Sequence, residues 1–140
     1  MLTKNSPKLT YEGAVALSEA AAKKAAEMKL PICIAVVDDG GHLLTFSRIN
    51  DAKPSSVIVA ITKARSAALR RAATGPLPSA ENTSVLLSLG MPLASDFNLT
   101  CVRGGLPIVW EGVVIGGIGI SAGTEAQDEE VARAALAALR

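Results

Sequence analysis

The sequence predicts an α+β fold, a mainly antiparallel sheet of five strands flanked by helices. Three observations predict it. Apolar runs pair across turns too short for a crossover helix, at Asp38-Asp39-Gly40-Gly41 and at Glu111-Gly112. Apolar residues recur at three- and four-residue steps in the segments before, between and after those runs. No strand–helix–strand series demands a parallel sheet. The resulting order is α-ββ-α-α-βββ-α, in one domain over 1–140.

The first helix is expected over 10–29. Thr10 can cap it, Ala14, Leu17, Ala21, Ala25 and Met28 form its apolar stripe, and Pro31 stops it. The run Ile32 to Val37 has no polar alternation, as expected of a strand covered on both faces. Beyond the aspartate–glycine turn, His42 to Ile49 forms the second strand, with Leu44 and Phe46 on the face of His42 and Arg48. Pro54 suits the first turn of a second helix that reaches about Ala73, with Val57, Ile61, Ala64 and Ala68 inward. Ser79 can cap a short helix to about Leu89, which Gly90-Met91-Pro92 ends. Strands are then expected at Leu99 to Arg103, Leu106 to Trp110 and Val113 to Ser121. Thr124 opens the last helix, with Gln127 placed for a capping box.

Composition narrows the function. Of 140 residues, 49% are hydrophobic and 19% charged, so the chain is not a disordered one. Aromatics make up only 3% while alanines number 24, which favours close approach of helices over bulky packing. A net charge of +1, from 14 basic and 13 acidic residues, gives no field for steering polyanions, and four aromatic residues are too few for base stacking. A nucleic-acid partner is not expected. One histidine and two cysteines do not make the usual zinc sets. No apolar stretch is long enough to cross a bilayer, and Met1 to Thr10 shows no signal peptide, so neither membrane association nor export is expected, the expected location is the cytoplasm, and Cys33 and Cys101 are expected as reduced thiols.

Several residues could carry chemistry. Gly116, Gly117, Gly119 and Gly123 lie in or just after an apolar strand, without the Lys-Ser/Thr of a phosphate loop. They either let a helix press on the sheet or bare the backbone to a flat ligand or another subunit. His42 is a candidate axial ligand for a haem iron, an acid/base group, or an ordinary strand-end histidine bonded to solvent or a turn carboxylate. Arg48, Asp51 and Lys63 form either a solvated rim or a carboxylate-binding mouth. Ser55 and Ser56 add hydroxyls to the free N–H groups at the start of the second helix, and Gly104-Gly105 can bring bare backbone to the same opening.

Five segments in order carry a family resemblance. They are Val36-Val37-Asp38-Asp39-Gly40-Gly41-His42-Leu43, Arg48-Ile49-Asn50-Asp51-Ala52, Lys63-Ala64-Arg65-Ser66-Ala67, Gly104-Gly105-Leu106-Pro107-Ile108, and Val114 to Thr124 followed by Gln127-Asp128. Together they resemble the GlcG/HbpS-like family, which includes the C-terminal domain of some corrinoid adenosyltransferases. The resemblance spans essentially the whole chain. It implies a profilin-like α/β/α sandwich with a five-stranded antiparallel sheet, a compact homo-oligomer and, as in several members, haem as ligand. Haem ligation varies across the family, so its motif does not select His42. Ala122 stands where the family more commonly has glycine, and its methyl narrows any backbone-lined pocket.

The function expected is a cytoplasmic homo-oligomer that binds haem or a related flat cofactor, accessory to a catabolic or redox pathway. The candidate ligand-binding set is His42, Arg48, Asp51, Ser55, Ser56, Lys63, Gly104, Gly105, Gly117, Gly119, Gly123 and Thr124. Two alternatives stand beside it. One is a cofactor-independent isomerase, lyase or hydrolase of a small oxygenated acid, with Arg48 or Lys63 on the carboxylate and Asp38, Asp51, His42 or Asp128 moving protons. The other is a structural accessory subunit.

Overall fold

The computed structural model describes residues 1–75 and 84–139. The elements are α1 (Tyr11–Glu27), β1 (Cys33–Asp38), β2 (Leu43–Arg48), α2 (Ser56–Arg70), α3 (Ser84–Ala94), β3 (Gly105–Trp110), β4 (Val113–Ser121) and α4 (Glu125–Ala137). The sheet has four strands in the order β2-β1-β4-β3, and every neighbouring pair is antiparallel.

Local chemistry explains most boundaries. Thr10 caps α1 by accepting the Gly13 N–H at 3.0 Å. Thr124 and Gln127 close the full capping box on α4. Glu111 and Gly112 both take positive φ, 48° and 77°, as a two-residue hairpin between right-twisted strands requires. α2 ends three residues before Ala73 because Arg71 turns left-handed at φ 56°.

Two clusters of apolar side chains fill the space on either side of the sheet. On one face Ile34, Val36, Ile118 and Ile120 meet Leu17 and Ala21 of α1 and Val131 and Ala135 of α4. On the other, Cys33, Ala35 and Val37 meet Ala60, Ala64 and Ala68 of α2. β1 therefore has no wet face, which is why its sequence does not alternate. The second face is unusually smooth. Gly119 pairs with Ala35 on one side and Gly105 on the other, and an added Cβ there would collide with the Ala60 carbonyl and come within 2.5 Å of the Ala64 nitrogen. The alanines of α2 fit these glycines at backbone contact.

Four expectations are corrected. Leu99 to Arg103 is not a strand, so the sheet has four strands and not five. Its N–H groups go to side chains: Thr100 to Ser66 Oγ at 2.8 Å, Val102 to Thr100 Oγ1 at 3.2 Å and Arg103 to Glu125 Oε2 at 3.2 Å. A chain whose donors are spent this way has no ladder to offer. α3 continues through Pro92 to Ala94. The carbonyl that Pro92 leaves without a donor belongs to exposed Ser88, where water can replace it. The proposed cap, Ser79, lies outside the described residues. Leu44 and Phe46 join opposite clusters, because the register shift between Val36 and Val37 makes Leu44 the extra residue of a bulge. Last, α2 begins at Ser56, with Pro54 and Ser55 in the turn before it.

Candidate functional site

Ten of the twelve candidate residues fall into three separate places. The first is the far turn of the β1–β2 hairpin. His42 is exposed there, and its N–H donates to Asp38 Oδ1 at 2.9 Å. This turn sits at the C-terminal end of α2, since Leu69 packs over Gly41 and Arg71 donates to the Asp39 carbonyl at 2.9 Å.

The second place is the opposite end of α2. Arg48 Nε donates to the Ala52 carbonyl at 3.1 Å, and among the described residues no ion pair joins Arg48 to Asp51. Asp51 is exposed with φ 73°, a conformation aspartate tolerates in turns. Ser55 makes no side-chain cap bond, and Ser56 is 4% exposed. The hairpin turn and the helix start are thus held apart by the length of α2, about 20 Å for fifteen residues.

The third place is a buried polar centre. Lys63 Nζ donates to the Ile120 carbonyl at 2.8 Å and to Asp128 Oδ2 at 3.0 Å, while Asp128 Oδ1 accepts the Gly123 N–H at 2.9 Å. Gly104, at φ 121°, lies against this pair: an added Cβ would sit 2.9 Å from Lys63 Nζ. Gly105 is bonded through its N–H to Thr74 Oγ1 at 3.0 Å. Thr124 spends its hydroxyl on the cap of α4. Burial pushes the Asp128 carboxyl up from its ordinary value, and Lys63 offsets only part of that. So Lys63, Gly104, Gly123 and Thr124 do come together, around Asp128, but in a closed interior. The side chains of Lys63 and Asp128 are 2% and 3% exposed.

The space over Gly117 and Gly119 is filled by α2 itself, whose Ala64 carbonyl faces Gly117 and Ala60 carbonyl faces Gly119. Of the two readings of these glycines, the helix-contact one describes the geometry.

The open site lies elsewhere. A groove of about 580 Å³ opens between the start of α1, the outer part of β3, and the end of α4. Leu9, Leu17, Ile108 and Ile115 form its floor and walls, Trp110 and Leu136 flank it, and Lys8 is a cation on its margin. Lys8 Nζ is 2.6 Å from Asp39 Oδ2, and this bond holds the Asp39 carboxyl below its ordinary value. A second, more polar cavity of about 480 Å³ lies between α1 and β2, next to the Ser18–Thr45 hydroxyl bond of 2.8 Å. None of the twelve sequence-selected residues lines either cavity. The groove went unseen because its lining comes from segments about 100 residues apart, and apolar residues there carry no motif. Its one local signal was Trp110, half exposed beside the hairpin tip.

Comparison with known proteins agrees with the fold. GlcG of Escherichia coli strain K12 is 39% identical over 113 residues, 81% of each chain. The crystal structure of Klebsiella pneumoniae protein ORFY superposes with a TM-score of 0.85 at 29% identity, covering 98% of this chain and 94% of that one. The structure of a PduOC:heme complex gives a TM-score of 0.82 at 27% identity, over 94% and 95% of the two chains. The family described as "Haem degrading protein HbpS-like" matches residues 9–137, and by that match the chain belongs to the HbpS-like family.

Proposed function

We propose that the chain is a small-molecule-binding protein whose ligand is a flat, largely apolar group, haem or a related tetrapyrrole, held in the groove between α1 and the β3–β4 hairpin. The observation that carries this reading is the groove itself. Its volume of about 580 Å³ falls within the range of ligand sites, roughly 300–1,000 Å³. Its lining is aliphatic, with a cation on the margin. Leu17, Ile108 and Ile115 would contact the ring, and Lys8 would meet a propionate by exchanging Asp39 for it. The haem complex of a relative with the same fold supports the ligand class.

The fit is to the ring and its acids. Among the described residues no His, Cys, Met or Tyr lines the groove, so this reading assigns no axial bond to groove residues, and His42 on its exposed turn stands outside the lining. Haem, when bound, supplies a redox-active iron; this chain's residues bind the ring, orient its carboxylates and exclude water. The reading extends to a homo-oligomer working in the cytoplasm as an accessory to a catabolic or redox pathway, supported by the near-neutral charge and the free thiols of Cys33 and Cys101.

The enzyme alternative has less to stand on. It needs Arg48, Lys63 and a proton-moving carboxylate around one substrate, whereas Lys63 and Asp128 are sealed from solvent and Arg48 bonds to a backbone carbonyl. Hemin titration of the purified protein tests the proposal. A Soret band that saturates at a fixed ratio of hemin to protein is expected, and a featureless titration overturns it.

A further inference from the structure

Among the described residues α3 meets no other helix or strand. Leu86, Leu89 and Leu93 recur at three and four residues and so share one face, and they are 80%, 61% and 67% exposed. Phe97, in the turn that closes the helix through its N–H to the Pro92 carbonyl at 2.7 Å, is 68% exposed. Beside this face Gly90 has open space where a side chain would project. From Ser84 to Ser95 there is no charged residue.

We infer that this stripe is the contact by which two copies of the chain pair, α3 against α3 across a two-fold axis. The inference rests on the homo-oligomer reading above and names the surface that makes it. The charge pattern selects the occupant. A partner recognised by charge finds no complement on α3, whereas the same uncharged stripe on a second copy complements itself, as a two-fold contact requires. A net charge of +1 adds almost no repulsion between copies. The area agrees. Three leucines and a phenylalanine exposed to this degree offer on the order of 500 Å² per copy, so the pair covers roughly 1,000 Å², the lower bound of a specific interface. Gly90 lets the two backbones approach closely at the centre of the stripe.

Light scattering on the full chain, unmodified and with Leu89→Lys and Leu93→Lys together, tests the inference. The unmodified protein is expected at a multiple of its 14.3 kDa mass, and the variant at half that multiple or less with an unchanged far-ultraviolet circular dichroism spectrum. An unmodified protein that is monomeric at micromolar concentration overturns both this inference and the homo-oligomer reading. A variant that keeps the unmodified mass overturns the α3 contact alone. Gly90→Cys in a Cys101→Ser background provides an independent check that adds no charge to the stripe. Mild oxidation is expected to link two chains through residue 90, and a chain that stays unlinked overturns the pairing.

Discussion

Lys63 Nζ lies 3.0 Å from Asp128 Oδ2, and this ion pair ties α2 to α4 around the end of β4. The two helices lie on opposite faces of the sheet, so the bond clamps the outer layers to each other beside Gly104 and Gly123, where no side chain intervenes. The second contact of the ammonium, the Ile120 carbonyl, adds the sheet itself to the clamp. The pair that the sequence suggested for substrate binding and proton transfer is thus enclosed and structural in its contacts.

Removing one partner should therefore cost far more than removing both. Lys63→Met leaves the Asp128 carboxylate buried without its cation, which costs about 3–5 kcal/mol. Lys63→Met combined with Asp128→Asn should recover a large part of that loss, since the amide oxygen can still accept the Gly123 N–H. Urea unfolding of the unmodified protein, Lys63→Met, Asp128→Asn and the double variant gives the coupling directly. Additive single losses would show that the two groups do not act as a pair.

At Gly119 the sheet leaves no room for a side chain beneath α2. Gly119→Val drives a branched side chain into the backbone of α2 at Ala60 and Ala64, neither of which can withdraw as a side-chain tip could. A loss of at least about 3 kcal/mol is expected, in line with severe overpacking. The measurement is the denaturation midpoint, and a destabilisation of less than about 1 kcal/mol, below the usual range for overpacking, would refute the contact.

Acid should weaken the protein partly through Glu129. Burial raises this carboxyl, but Arg103 at 2.7 Å and Arg133 on its other oxygen more than offset the rise and hold it below its ordinary value of 4.5. The folded pKa is the lower one, so the unfolded chain takes up the proton first. The contribution is present above pH 4.5 and is lost as pH falls through the folded pKa. Asp128 has the opposite sign, because burial raises its folded pKa above 3.8 and its contribution shrinks as pH rises through that range. Glu129→Gln should thus flatten the fall in stability below pH 4.5. Equal slopes for the two proteins would remove Glu129 from the account.

How much was legible in the sequence follows the range of each signal. Thr10, the Thr124–Gln127 box and the Glu111-Gly112 turn each act within four residues, and each appears in the structure where the sequence puts it. The unbroken apolar run of β1 likewise reads directly as a strand covered on both faces. Leu99 to Arg103 has the composition of a strand, but its fate depends on Ser66 and Glu125, more than twenty residues away on either side. Leu44 slips to the other face through a bulge that no side-chain pattern announces. For the candidate site, the sequence sets Lys63 beside Arg48 and Asp51, whereas in the fold Lys63 lies with Gly104, Gly123 and Thr124 around Asp128, an aspartate the sequence offers only as a proton carrier. The groove depends on Leu9 and Leu136 coming to line one cavity, which only tertiary structure brings about.

The central claim is that a flat ligand occupies this groove, and hemin titration of three proteins in parallel tests it most directly. Ala16 lines the groove at half-buried depth, so Ala16→Phe fills it with little strain on the core. His42→Ala removes the chain's one imidazole outside the groove. The account predicts that Ala16→Phe weakens saturable hemin binding at least about tenfold, about 1.4 kcal/mol, while His42→Ala binds as the unmodified protein does. Binding that survives Ala16→Phe unchanged and disappears in His42→Ala would contradict it, and would move the site to the hairpin turn.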